Sequence, residues 1–152
     1  MDVEARLSEM GLTLPEPAAP LAAYVPFVRA GSLLHVSGQI ARGPAGVIVG
    51  CLGHDMAAEA GADAARTCAL HLLAQVKAAA EGDWSRLRRV VKLTGFVAST
   101  AGFFDQPKVI NGASELFVDL LGEVGRHARS AVGVAALPLG AAVEVEGVFE
   151  LS

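Results

Sequence analysis

Cysteine is scarce in this chain of 152 residues: only Cys51 and Cys68 are present, with no C-x-x-C pair. Such usage fits reduced, buried thiols better than a disulfide framework. An excess of positive charge is also missing. Twelve lysines and arginines face sixteen acids, for a formal charge of −4 and a pI of about 5.5, so the molecule as a whole has no field to draw in a polyanion. Nucleic acid is therefore a poor default partner. The one dense basic cluster, Arg86, Arg88, Arg89 and Lys92, opens an expected strand and reads as a solvated edge. No run approaches the ~20 apolar residues of a membrane span. The longest, from Ala131 to Val143, is broken by Gly133, Pro138 and Gly140, and MDVEARLSEM at the N-terminus lacks the charge and apolar core of a secretory signal. The expectation is a soluble, cytoplasmic protein.

Familiar catalytic and metal signatures are absent too. His35, His54, His71 and His127 lie far apart, with no pair at helical i, i+4 spacing beside a third ligand, so no metal is expected. No G-x-S-x-G elbow, Walker loop or G-x-G-x-x-G opens a helix. Cys68 falls on an apolar helical stripe and Cys51 at a strand end, which suits core thiols rather than an electropositive nucleophile. His71 lies one position off the same stripe, as a boundary residue would.

What the chain does have is apolar residues, 53% against 18% charged. One domain, residues 1–152, is the natural reading of the length, and so little polar surface hints at subunit association. Val3, Leu7 and Met10 suggest a short helix ended by Gly11, and LTLPEPAAP an extended arm over the body, so that residues 1–20 form an N-terminal extension. YVPFVRAGSLLHVSGQI reads as a hairpin about Ala30-Gly31-Ser32, and VIVGC as a third short strand after the turn at 43–46. A helix is expected from Asp55, its N-cap, to Glu81, roughly 40 Å long and presenting Ala64, Cys68, Leu72 and Val76 to a sheet. RRVVKLTGFVA reads as a strand with both faces at least partly covered. A second helix begins near Asp105, with Pro107 in its first turn and a stripe of Ile110, Ala113, Phe117, Leu120, Leu121 and Val124. Two further apolar runs, joined by Leu137-Pro138-Leu139-Gly140, read as a closing hairpin. The order β-β-(β)-α-β-α-β-β predicts an α+β fold with two helices on one face of a mixed sheet. The other face, also apolar, calls for a second subunit.

Those last two runs, HARSAVGVAALPLGAAVEVE at 127–146, each carry a charge among apolar residues: Arg129 enters the first and Glu144 sits in the second. The stretch resembles the signature of the Rid family of reactive-intermediate deaminases, also called YjgF or L-PSP endoribonuclease proteins. Its members share R-[small]-x-V-x-V-A-x-LP followed by V-E-[V/I]-E. Tyr24, the SGQI segment with Ser37, and Asn111 also fall where that family carries them. The resemblance spans about Tyr24 to the C-terminus. It implies a chorismate-mutase-like fold, a homotrimer with clefts between subunits, and hydrolysis of enamines and imines such as 2-aminoacrylate and 2-iminopropionate to 2-keto acids and ammonia without a cofactor.

Residue chemistry agrees with that implication. Arginine's planar fork holds a carboxylate through two parallel charge-assisted bonds, so Arg129 would fix an imino acid. A carboxylate can position the attacking water and accept its proton, the role given to Glu144. By resemblance, Tyr24 would cap the site, Ser37 offer a hydrogen bond, Asn111 brace the arginine or the ligand, and the Ala131 backbone amide meet a carboxylate. Taken alone, Arg129 is equally well read as a structural ion pair with Glu123 or Glu150. If 137–140 closes a simple hairpin, Glu144 lies opposite about Val134 and ~16 Å along the strand from Arg129. Two places depart from the compact family pattern: Ala131 stands where cysteine is common, and His127 where proline or alanine is usual. The rival readings are a trimeric protein that binds small carboxylates without turnover, and a ribonuclease or translation inhibitor. The acidic charge and the want of a basic, aromatic-lined surface count against the latter.

Overall fold

A computed structural model describes residues 2–19 and 23–152. Helix α1, Val3–Glu9, is capped by Asp2, whose carboxylate accepts the Ala5 N–H at 3.0 Å. Its Val3 and Leu7 are buried, and Gly11, at φ +66°, turns the chain out of it. The segment that follows has no regular structure as far as Ala19. It is tied down by the buried Gln75 side chain, which donates to the Ala18 carbonyl at 3.3 Å. The last proline of the expected arm, Pro20, lies outside the described residues, as does Met1.

Strands β1, Phe27–Ala30, and β2, Leu33–Ile40, form the expected hairpin about Gly31, whose φ of +62° suits glycine. The expected strand at VIVGC does not form. In its place Arg42–Gly43 (β3) pairs with Gly46–Val47 (β4) in a two-residue ribbon, and Val49 makes only an isolated bridge to Ala141. Helix α2 runs Ala58–Ala79, shorter at both ends than its apolar pattern suggested. Asp55 does not cap it, because its carboxylate accepts the Cys51 N–H in the preceding turn. Strand β5, Leu87–Ala98, helix α3, Gln106–Leu121, strand β6, Ala128–Val134, and strand β7, Val143–Leu151, complete the chain.

The sheet order is β1-β2-β7-β5-β6, with β5 and β6 parallel and the other pairs antiparallel. This corrects the closing hairpin: β6 and β7 are not partners, because β5 lies between them. The physical reason is the crossover. A parallel pair needs a long connection, which α3 supplies, and this sets β6 on the outer edge of β5. The turn at Pro138–Gly140 then carries the chain across the end of β5 to its other side.

Both long helices cover one face, α2 over β7 and β2, α3 over β5 and β6. Strict alternation in β7 buries Val143, Val145, Phe149 and Leu151 beneath them. Phe149 meets Phe117 of α3 with ring centroids 5.8 Å apart, and burying each such ring is worth about 1.5–3 kcal/mol. The opposite face, which holds Val28, Ile40, Phe96, Val132 and Val148 among Glu144, Glu146 and Lys92, is covered by no helix or strand among the described residues. It stays partly or fully exposed. No helix of the described residues is long and apolar enough to cross a membrane.

Candidate functional site

Arg129 is the second residue of β6. It pairs with Leu93, a core residue of β5, so its side chain projects on the helix-covered side of the sheet. There the guanidinium meets α3. Nη1 donates to Asn111 Oδ1 at 2.8 Å and to Ser114 Oγ at 3.2 Å, while Nη2 makes only a long approach of 3.5 Å to the Pro107 carbonyl. No acid lies within ion-pair distance of Arg129 among the described residues. Glu123, one of the structural partners considered for it, is taken instead by Arg126 at 3.0 Å. The guanidinium is thus held by neutral acceptors, its charge uncompensated and one edge of its fork unfilled.

Asn111 and Ser114 reach the same group because they stand three residues apart on α3 and so share a face. A third residue extends the cluster: His127 Nε2 is 2.9 Å from Ser114 Oγ, and its Nδ1 is 2.6 Å from the Gly125 carbonyl. Burial, reinforced by the charge of Arg129 and opposed by the Gly125 carbonyl, holds this imidazole below its ordinary titration range. His127 sits two residues before Arg129, hence on the same side of the strand. That spacing was readable in the sequence. Ser114 could have been found as the i+3 neighbour of Asn111.

Ala131 follows on the same face of β6, beside Gly95, where a side chain would collide with Ile110 of α3. Glu144 stands elsewhere. Its β7 position pairs with Phe96 on one side and Ile40 on the other, and Phe96 projects from the face of β5 opposite to Leu93. Within one chain, then, Arg129 and Glu144 lie on opposite faces of the sheet. They are two strands and three rows apart, ~14 Å between backbones on ordinary sheet spacings.

The Glu144 carboxylate packs against Gly38, where any side chain would strike it. Burial first, and then the negative charge of Glu146, raise its pKa above the usual glutamate value. Ser37 lies at the irregularity between Val36 and Gln39 in β2, next to this carboxylate's row. Its hydroxyl donates to the Val25 carbonyl at 2.8 Å and keeps lone pairs to accept. Tyr24, just before Val25, is 58% exposed. The six expected residues therefore fall into two groups: Arg129, Asn111 and Ala131 at the β6–α3 edge, and Tyr24, Ser37 and Glu144 on the β1–β2–β7 side.

Two clefts, of about 470 and 350 Å³, flank the N-terminal arm and are lined by residues such as Arg42, Leu70 and His71, or Leu14, Lys77 and Glu81. Neither contains an expected site residue. Cys68 is fully buried, its thiol pushed far up by burial, and the His71 imidazole is pushed down by burial near the Arg42 carbonyl. No group of three or more possible metal ligands occurs among the described residues.

A five-stranded mixed sheet with one parallel edge pair, covered on one face by two helices, defines the chorismate-mutase-like class of α+β folds. Within it, residues 4–151 match the family model described as "YjgF/chorismate_mutase-like, putative endoribonuclease", and the chain belongs to this YjgF, or Rid, family. It is 49% identical over 152 residues to Protein TCP17 of Trypanosoma cruzi, covering 99% of this chain and 94% of that one. It is similar at the same identity and coverage to Atu1372 of Agrobacterium tumefaciens, a solved structure of unknown function, with a TM-score of 0.91. E. coli TdcF, solved with bound serine, is 26% identical with a TM-score of 0.62, covering 92% of this chain and 96% of that one.

Proposed function

We propose that the chain is a cofactor-independent hydrolase of 2-imino acids and their enamine tautomers, acting in clefts between the subunits of a homotrimer in the cytoplasm. The observation that carries this reading is the state of Arg129. Its guanidinium is oriented by Asn111 and Ser114 and neutralised by no acid among the described residues, which is the condition for bidentate capture of a substrate carboxylate. The serine bound to TdcF, a small amino acid with a carboxylate, is of the same chemical kind.

With the carboxylate fixed, water adds to the C=N carbon. Glu144 takes a proton from that water as it adds to the protonated imine, giving a neutral carbinolamine; Glu144 returns the proton to nitrogen and, as the C–N bond breaks, takes the proton of the carbinol hydroxyl. The 2-keto acid and ammonia leave. A carboxylate whose pKa lies above the usual range is a better base for this step than an ordinary surface glutamate. Because Arg129 and Glu144 lie on opposite faces of one sheet, the reading needs Glu144 from one subunit to face Arg129 from its neighbour, with Tyr24 and Ser37 on the Glu144 side.

The same separation of Arg129 from Glu144 favours a second reading, in which the chain binds small carboxylates without turning them over. One assay separates the two. With 2-iminopropionate or 2-aminoacrylate generated in situ, the wild-type chain accelerates loss of the imine over buffer. Arg129→Ala lowers kcat/KM by about 10²–10³-fold, the scale expected when a charged positioning group is removed. Saturable keto-acid binding with no acceleration for any imino acid would leave the binding protein as the function.

A further inference from the structure

The contacts of Arg129 do not end at α3, and the direction of each proton in them is fixed. A carbonyl oxygen only accepts, so the 2.6 Å contact to Gly125 requires the proton on His127 Nδ1. In the neutral ring Nε2 is then an acceptor, and the Ser114 hydroxyl, 2.9 Å away, donates to it. Having given its one proton, Ser114 Oγ accepts from Arg129 Nη1 at 3.2 Å. The second Nη1 hydrogen goes to Asn111 Oδ1 at 2.8 Å. Both hydrogens of Nη1 are thereby used, which leaves the Nε–Nη2 edge of the fork for an incoming carboxylate.

We propose that His127 and Ser114 form a positioning relay that fixes the rotamer of Arg129, and that protonation of His127 releases it and weakens carboxylate binding. The proposal rests on the reading of Arg129 as the carboxylate-binding residue. Once His127 is protonated, Nε2 becomes a donor aimed at Ser114 Oγ. That oxygen must then accept from both His127 and Arg129, and its own proton loses its acceptor. An imidazolium is also set beside a guanidinium, with only one serine between them. Proton binding at His127 and the observed placement of Arg129 therefore oppose each other.

The other groups around the imidazole do not offset this. On the α3 side it meets Ser114 and the edge of Phe117, with centroids 6.1 Å apart at 72°. Glu123, in the preceding turn, is engaged by Arg126. Lys92 of β5 pairs with Ala128 and so projects on the other sheet face. The charged residues of α3 are Lys108, Glu115 and Asp119; all three are exposed, and Lys108 is turned to Asp105. Among the described residues, the charge that acts on His127 is that of Arg129, and it acts against protonation.

Pyruvate, which stays ionised throughout, is a direct probe of the relay. Its Kd for the wild-type protein, measured calorimetrically, is expected to weaken about tenfold as pH falls from roughly 8 to well below the ordinary histidine value of about 6.5, because burial and Arg129 lower the titration of His127. His127→Asn keeps a donor for Gly125 but cannot titrate. It should bind about five- to tenfold more weakly at high pH, the scale of one lost hydrogen bond, and show a flat profile over the same range. Glu144 is present in both proteins, so the difference between the profiles isolates His127. Ser114→Ala should behave like His127→Asn, and Ser114→Thr should restore wild-type affinity. In the wild type, 15N spectra of the histidines should show His127 with its neutral proton on Nδ1 and a pKa that rises in Arg129→Ala. Superimposable pH profiles for wild type and His127→Asn, or a neutral proton on Nε2, would overturn the relay. Equal pyruvate binding by wild type and Arg129→Ala would instead overturn the carboxylate reading, while the tautomer and the coupled titration still decide whether the relay exists.

Discussion

Glu144 forms no ion pair among the described residues of its own chain, and burial together with Glu146 raises its pKa. Only the ionised form can take a proton from water. The sign follows: kcat/KM should climb as pH rises through the raised value, with the inflection above the ordinary glutamate range of about 4.3. Glu144→Gln should abolish that limb and lower turnover by about 10²–10⁴-fold, the usual worth of a general base, while keto-acid binding survives. A pH–rate profile of both proteins checks this, and an inflection that persists in Glu144→Gln would assign the base elsewhere. At this scale Arg129 and Glu144 stood out as candidates because their chemistry and their motif agree, and Asn111 by the motif alone. Ser114 was less so, since a lone serine in a helix stands out only as the i+3 neighbour of Asn111.

Two glycines let the elements approach closely enough to bring these residues together. A side chain at Gly112 of α3 would run into the backbone carbonyl of Ala62 on α2, and one at Gly61 would crowd Leu52 and Val109. Helix propensity alone favours Gly112→Ala by about 1 kcal/mol. Contact with a backbone atom, which cannot swing aside, reverses the sign. The variant is expected to be less stable by about 1–3 kcal/mol in urea unfolding. Because Asn111 is the adjacent residue, separation of the helices should also loosen its hold on Arg129 and weaken keto-acid binding. A Gly112→Ala chain as stable as the wild type would show that the two helices can part without cost. Element types were largely readable from periodicity, which reports which face of a segment is buried. Periodicity does not report which strand lies alongside. Short connections usually join neighbours, so Leu137–Gly140 read as a hairpin turn, whereas the parallel placement of β6 forces β7 to the far side of β5. Asp55 failed as a cap for a similar reason: a nearer N–H, that of Cys51, competes for its carboxylate.

Across the whole molecule, the uncovered sheet face is the feature that a single chain leaves unresolved. Val28 is 55% exposed, Val132 43% and Leu33 37%, and they share that face with Phe96, Ile40 and Val148. Exposed apolar side chains gathered on a face that the chain's own helices leave open point to an interaction surface. In the trimer we propose, the Glu144 side of one subunit faces the edge strand β6 of another, and the two half-sites join there. The expected solution mass is three times the 15.6 kDa of the chain. Val132→Glu tests the link between assembly and chemistry. In an isolated chain this position is largely solvent-exposed and on an edge strand, so the substitution should change stability by only about 0.5 kcal/mol. In an assembly it would bury a charge in the row of Phe96 and Glu144, an unpaired acid that a packed interface cannot tolerate. Light scattering should therefore report a folded monomer, and the imine assay should report activity lost with the trimer. A wild-type monomer that hydrolyses imines would refute the shared site, and a monomeric but fully active Val132→Glu would place Glu144 outside the chemistry.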